Sequence, residues 1–579
     1  MKHFTKFAVM CICLIITALF TSACGGSKAT PPTYPYFPIN NQANNQQQEN
    51  NQQQEEEQVA TTEFTLTLTD SLNDDKIAKA DIFYTVDDNT KKSSVDDKEI
   101  LKATPNAEDK TKFTVSVNGN LDTANLKVKA ILTYDNEENL LDYFSSYDGV
   151  EATNGIFNVD FENSKDNEQG FGGGTGTEND PFIISAPRHF VNINKKDDEG
   201  KYLYFTNNFK QTANIDFSHL TGLKINKTEE NTKSTDTTIE VINEKAPFYN
   251  EGKGIDPIGG INISDMIGTS PSGYEQLLES SVFQGNYDGN DNIIDGIVIA
   301  NPQKYYIGLF PIIYNATIQK LTIGENSIFF IDDPEDISVS QDSHSIQIML
   351  GAITGYSSNS TIEQCENRAT ISLSNIQTTS DDNYCTISLS GISCQTAKST
   401  IKNCKNTGHI NIDNCKSKAN ATQILIYNIF FPIMECTESD NENEGNINIT
   451  NNTFNKASIQ IINHTFSGKF KNTGHINIDS NTNLLEIITC ILQAGTMNDC
   501  TNDGHITITN NTLEDGITGS IQTCIFSASS YSNCVNNGNI VLDNNSENYN
   551  IVIARNITGN ATGCTNNGTV TVDGVVGEI

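Results

Sequence analysis

Cys404-Lys405-Asn406-Thr407-Gly408-His409-Ile410-Asn411-Ile412-Asp413 returns, with small changes, along the last part of the chain. Its Gly recurs at Gly445, Gly474, Gly504, Gly538 and Gly568, and Ala369 fills the position in the first copy. Asn stands two residues earlier each time, at Asn367, Asn406, Asn443, Asn472, Asn502, Asn536 and Asn566. The copies follow one another at 29 to 39 residues. Such a period marks a solenoid, whose repeats bury their apolar faces by stacking on their neighbours.

The parts of the repeat have separable jobs. Asn-x-Gly predicts a bend in which Gly takes a positive φ that other residues resist. The apolar pairs after it are Ile410/Ile412, Ile447/Ile449, Ile476/Ile478, Ile506/Ile508, Ile540/Leu542 and Val570/Val572. They alternate with polar residues, so each strand has one buried and one wet face. Coils stacked ~4.8 Å apart turn every repeat position into a ladder.

Cys365, Cys404, Cys500, Cys534 and Cys564 stand four residues before the Gly slot, with Asn441 and Phe470 in the remaining copies. Metal or redox chemistry is one reading. The other is a small inward residue whose parallel Cβ vectors suit disulfide geometry poorly. Eleven of the 14 Cys follow Gln364, an odd number that argues against a complete disulfide framework, while a pair such as Cys385 and Cys394 stays open. There is no Cys-x-x-Cys pair to suggest zinc.

Two outward positions carry candidate ligands. One residue after Gly stand His409, Asn446, His475, His505, Asn539 and Thr569. His475 and His505 are coil neighbours without an evident third ligand, so a solvated polar face is favoured over a metal site. Five residues after Gly stand Asp413, Thr450, Asp479, Thr509, Asp543 and Asp573. Thr between the first acids relieves like-charge stacking, and an Asx-turn at the strand end explains them without calcium. The acidic loop Asp332-Asp333-Pro334-Glu335-Asp336 reads as solvated.

At the other end of the chain, Lys2 and Lys6 precede an uncharged apolar run from Phe7 to Phe20. A membrane-spanning helix needs ~20 apolar residues, so residues 1–23 read as a cleavable signal. Residues 24–60 follow as a spacer rich in Pro, Asn, Gln and Glu, too polar to offset chain entropy by burial. Period-two runs such as Phe64/Leu66/Leu68 and Phe113/Val115/Val117 then make 61–163 an immunoglobulin-sized antiparallel β-sandwich. Residues 164–350 are expected to form the first, less regular part of the solenoid, and 351–579 its regular repeats.

Two resemblances add to this. Thr21-Ser22-Ala23-Cys24-Gly25-Gly26 resembles the lipobox of bacterial lipoproteins, with Thr21 where Leu is usual. It implies that Cys24 is acylated and becomes the new N-terminus, leaving the protein lipid-anchored at the outer membrane or cell surface. The second runs over about 150 residues: Gly173-Gly174-Thr175-Gly176-Thr177, Asp180-Pro181-Phe182, Asn214-Ile215-Asp216, Asp256-Pro257-Ile258-Gly259, Phe283-Gln284-Gly285-Asn286-Tyr287-Asp288-Gly289 and Gly308-Leu309-Phe310. These blocks resemble bacterial surface proteins with GLUG-type repeats. The resemblance implies an all-β fold with a right-handed parallel β-helix and an adhesin-like role. Similar repeats accompany immunoglobulin A peptidases, but no His here starts the His-Glu-x-x-His that would place two zinc ligands and a base on one helix face. Nor does the glycine run carry the Gly-Lys-Ser/Thr of a phosphate loop.

The charge balance, 72 Asp and Glu against 36 Lys and Arg, disfavours nucleic acid as a partner. The chain lacks Trp, the commonest flat platform for sugars, though it has 19 Tyr. A non-catalytic surface adhesion or display module is therefore the leading expectation, with a host or matrix protein or glycan as partner. A polysaccharide hydrolase or lyase is the alternative; it needs paired carboxylates about 5–10 Å apart, or a base beside a cation. Neither recurs at a position that breaks the repeat, and the most irregular stretch, Ile424 to Glu435, is apolar and reads as core. A third reading is self-association through the C-terminal coil, where no polar cap follows Val570-Thr571-Val572. No cofactor and no catalytic residue is expected.

Overall fold

A repeat of about 30 residues is far longer than one strand, so corners must break each copy into several strands. The computed structural model describes residues 166–577 with internal interruptions, the longest at 262–280, and the strand backbones between Thr61 and Val159. In it the repeats wind into a parallel β-helix. Asn406 pairs with Asn367 of the coil before and Asn443 of the coil after, and Ile410 likewise with Ile371 and Ile447.

Parallel sheets wall the coil. The leading wall runs from Phe182–Ile184 to Thr437–Ser439 in seven strands. The Asn wall has ten, from Ile215–Asp216 to Thr565–Asn566. The Ile wall also has ten, from Val298–Ala300 to Val575–Gly577. A long wall extends from Tyr306–Ile307 to Tyr549–Ile553, and a short one has four strands, Ile312–Tyr314 to Phe430–Met434.

The cross-section simplifies along the axis. Ladder Asn residues are 39 and 37 residues apart in the first two steps and 29 and 30 in the next two. From Thr453 onward, single strands of 13, 17 and 14 residues replace separate long- and short-wall strands. The core changes too. Phe190, Phe209, Phe217, Phe283, Tyr287 and Phe310 fill the early coils, whereas Ile residues fill the later ones. Ile410, Ile447, Ile476, Ile506 and Ile540 are each no more than 1% exposed, and each such burial is worth ~1.5–3 kcal/mol. Ile424, Ile426, Ile429 and Phe430 in the irregular stretch are buried as well.

The corners correct the expected role of the repeat glycines. The left-handed residues are mostly polar: Gln364, Asn403, Asp440, Asp499 and Asn533 before the Cys slot, and Asn375, Asn414, Asn451, Asn510 and Asn544 after the Ile wall. Asn tolerates that region best among non-glycine residues. Gly408 and its equivalents do not adopt a positive φ. They are needed because coils meet closely there: a Cβ on Gly408 would lie 1.9 Å from the Ala369 carbonyl oxygen, and one on Gly504 2.1 Å from that of Gly474.

The glycine run belongs to the first coil. Gly172 N–H donates to the Ile183 carbonyl and Ile183 N–H to that of Gly173, at 3.0 Å each, laying the run along the leading strand. Behind it Phe171 stacks on Phe182 with centroids 4.4 Å apart. The helix Pro187–Asn192 buries Phe190 against Phe217, Tyr287 and Phe310.

Between Thr61 and Val159 the strands fall into a four-stranded and a five-stranded sheet. Ile77–Val86 pairs antiparallel with Leu126–Tyr134, and Thr61–Leu68 pairs parallel with Ile156–Val159. At the far end, the last strand departs from expectation. The chain turns through Asp573 and Gly574, and Val575–Gly577 folds back antiparallel on Val570–Val572. The outer edge of the last Ile-wall repeat strand is thus occupied by the chain itself. The signal, Cys24 and the spacer lie outside the described residues, as does most of the acidic loop after Asp332.

Candidate functional site

The repeat Asn residues point inward and form one continuous amide ladder. Asn367 Nδ2 donates to Asn406 Oδ1 at 2.9 Å, and the pattern continues through Asn443, Asn472, Asn502 and Asn536 to Asn566 at 2.7–2.9 Å. From Asn406 to Asn536 each Nδ2 also donates to the carbonyl of its own repeat Gly. Buried polar groups are tolerated only when paired in this way. A second ladder, Asn452, Asn481, Asn511 and Asn545, runs where the Ile wall turns the corner, with Nδ2 to Oδ1 at 2.9–3.0 Å. Sequence reading missed it, although Asn seven residues after Gly445, Gly474, Gly504 and Gly538 was its visible signal.

The Cys residues fill the same kind of corner. Cys365, Cys404, Cys415 and Cys534 each donate from Sγ to the carbonyl two residues back at 3.4 Å. Asn441 takes a Cys slot and accepts from Cys404 N–H at 2.9 Å. Cys385 and Cys394 are both buried and no disulfide joins them, so the pair left open by the sequence is not formed. Burial pushes the Cys394 and Cys415 thiols up to about 12, which makes them inert packing groups at neutral pH.

Outward rungs bond from coil to coil. His409 Nδ1 accepts from Asn446 N–H at 3.0 Å, His475 Nδ1 from His505 N–H at 3.0 Å, and His505 Nδ1 from Asn539 N–H at 2.9 Å. The His475 and His505 rings stack with centroids 4.9 Å apart. Their Nδ1 atoms are therefore occupied, and a shared metal would have only Nε2 of each. Burial, with the neighbouring His505, holds His475 below its ordinary value. The acids behave similarly. Asp413 Oδ1 accepts from Thr450 Oγ1 and Asn451 Nδ2, and Asp479 Oδ1 from Thr509 Oγ1 and Asn510 Nδ2. These bonds run between coils, where an Asx-turn onto the local backbone was expected.

At the head of the solenoid a polar group not singled out in the sequence holds the first helix. Asp166 accepts from Arg188 Nε and Nη2 at 2.9 and 2.7 Å and from His189 Nε2 at 2.8 Å. Burial raises the Asp166 carboxyl, but the His189 and Arg188 bonds outweigh it and leave it below its ordinary value. Ser185 Oγ lies 3.4 Å from His189 Nδ1, which resembles a nucleophile–base pair. However, Nδ1 also accepts from Ser185 N–H at 3.2 Å, and His189 is 1% exposed. The group is built as a latch.

A half-open cleft of about 380 Å³ lies nearby. Lys196, Lys253, Lys304 and Asp256 line it together with the buried Ile255, Ile299 and Ala300. Lys196 sits on a tight hairpin closed by Leu203 N–H to Lys195 carbonyl at 2.9 Å. Its Nζ lies 4.4 Å from the Tyr202 ring centroid, and Tyr202 in turn stacks on Phe205 at 3.8 Å. Lys253 lies between Gly252 and Gly254, both with positive φ, and its carbonyl accepts from Ala300 N–H at 2.9 Å. Asn194 bolts the region together, donating to the Pro257 carbonyl at 2.9 Å and accepting from Gly259 N–H at 2.9 Å. These lysines are about 50 residues apart in sequence, so no local motif announced them. Among the described residues no group of three or more His, Cys, Asp and Glu converges as a metal site.

Compared with protein-family models, curated proteins and solved structures, the chain matches none.

Proposed function

We propose that the protein is a lipid-anchored envelope protein whose β-helix acts as a non-catalytic adhesion and display module. The observation that carries this reading is the pairing of the ladders. Inner Asn and outer His, Asp and Thr side chains spend their hydrogen bonds on neighbouring coils, from Asn367 to Asn566 and from His409 to Thr569. Side chains so engaged make a rigid, repetitive surface suited to presenting a binding face. The anchor rests on the lipobox-like Cys24 and the polar spacer after it.

Two measurements test the reading. Cells expressing the full chain are labelled with an alkyne analogue of palmitate and fractionated. The protein is expected in the membrane fraction with label, and Cys24→Ala is expected to be unlabelled and released. The purified mature protein is then screened against matrix proteins, mucin and a glycan array. No binding across the screen would sink the adhesion reading.

A further inference from the structure

We propose that Cys534 and Cys564 form a redox modification site, closed into a disulfide between neighbouring coils by a small-molecule disulfide and reopened by a thiol. The first observation is placement. Thr565 N–H donates to the Cys534 carbonyl at 2.9 Å, and Cys534 N–H donates to Cys564 Sγ at 3.3 Å. The two residues, 30 positions apart in sequence, thus occupy the same rung of adjoining coils. Coils stack at ~4.8 Å, within the ~4.4–6.8 Å between Cα atoms that a disulfide spans. Their Cβ directions run side by side, so closure requires one side chain to swing toward the other.

The second observation is freedom to swing. The left-handed corner before the Cys slot is held by Gln364, Asn403, Asp440, Asp499 and Asn533 in earlier coils, but by Gly563 at φ +70° before Cys564. Glycine leaves that corner the widest choice of backbone angles. Access differs as well. Cys564 is only partly buried, whereas Cys534 is 1% exposed and Cys500, one coil earlier, is fully buried.

The third is the chemistry of the column. Cys534 lies between Cys500 and Cys564, whose thiols can each turn a proton toward its sulfur. The bond from Cys500, opposed by burial and aided by Cys564, holds the Cys534 thiol below its ordinary value. A lowered thiol supplies more of the nucleophilic thiolate near neutral pH. Cys564 is therefore the entry thiol, Cys534 the resolving thiolate and Cys500 a positioning donor. The Cys564 thiolate attacks the external disulfide, forms a mixed disulfide and expels one small thiolate. The Cys534 thiolate then attacks the Cys564 sulfur and expels the second. The two protein thiols give up two electrons and two protons, which convert one small disulfide into two thiols. Closure fastens the coil containing Val570–Val572 to the one before it. Cys490 and Cys524 also face each other in register, but both are buried and should stay thiols while the chain is folded. This proposal goes beyond the adhesion reading and does not depend on it.

The test incubates the folded, reduced chain with glutathione disulfide, traps remaining thiols by alkylation and maps the peptides by mass spectrometry. A Cys534–Cys564 crosslink is expected to form without unfolding and to disappear with dithiothreitol. Amide hydrogen exchange from Thr565 to Val572 should become at least about tenfold slower in the oxidised form. Cys564→Ser is expected to keep the thermal midpoint of the reduced protein and to lose both the crosslink and the slowing. Cys500→Ala should move the pH at which closure is half-maximal upward. A mixed disulfide that persists on wild-type Cys564, or equal crosslinking of Cys490 with Cys524 in the folded chain, would overturn the assignment. So would an unmoved pH profile in Cys500→Ala.

Discussion

The side-chain amide of Asn472 donates to Asn502 Oδ1 at 2.8 Å and to the Gly474 carbonyl at 2.9 Å, entirely inside the solenoid. Its own Oδ1 accepts from Asn443 at 2.7 Å. Both amide protons and the oxygen at that rung thus have partners of fixed polarity. Asn472→Leu is expected to destabilise the protein by about 1–3 kcal/mol, since Asn443 then lacks an acceptor and Asn502 a donor. Asn472→Asp should cost more, because a buried carboxylate would face the Asn502 Oδ1 and the Gly474 carbonyl. Exposed Lys471→Ala should shift stability by no more than about 0.5 kcal/mol. Urea unfolding followed by circular dichroism ranks the three.

Gly504→Ala tests the coil-contact account of the repeat glycines. The new Cβ would meet the Gly474 carbonyl oxygen at 2.1 Å and Asn472 Nδ2 at 2.4 Å, so both coils must part. A loss of about 1–3 kcal/mol or more is expected. Gly516→Ala finds nothing within 4 Å and suffers only its φ of +82°. It should therefore cost less, and equal thermal midpoints for the two would refute the contact argument.

His475 supplies a pH dependence with a defined sign. Its folded value lies below its ordinary 6.5, so the unfolded chain takes up the proton more readily. The rung's stability is complete above pH 6.5 and is lost as pH falls through the lower folded value. Asn446 and Asn539 already perform the same rung bond with a group that does not titrate. His475→Asn is expected to match the wild type at pH 8 and to lose part of the acid sensitivity. Unfolding midpoints measured across that range check it.

Asp166→Asn is expected to loosen the head of the solenoid first. It removes the carboxylate that Arg188 and His189 share, at a cost of about 1–3 kcal/mol. Because the Asp166 carboxyl lies below 3.8, the wild-type latch should persist until pH falls through that lowered value. Hydrogen exchange of Arg188, His189 and Phe190 reads the local opening directly. Unchanged exchange there would contradict the latch.

Thiol alkylation should follow burial. Cys564 and Cys436, the partly exposed thiols, are expected to react in the native protein before Cys394, Cys415 and Cys500. All should become reactive on unfolding. Mass spectrometry of peptides after brief alkylation separates the two classes.

Much of the solenoid was legible in the chain itself. The interval between repeat Asn residues and the alternation of Ile410 and Ile412 set the period and the buried face, because both are properties of local order. The reason for Gly408 was not legible, since the atom it avoids belongs to Ala369 in another coil. The same holds for Thr450 on Asp413 and His505 on His475, bonds that exist only once the coils are in register. The lysine cleft is the extreme case. Lys196, Lys253 and Lys304 line one cleft although about 50 residues separate each from the next, and no periodicity in sequence encodes that. Local patterning determined that this protein is a stack of β-coils; tertiary stacking alone decided which side chains bond across coils and which cations share a cleft.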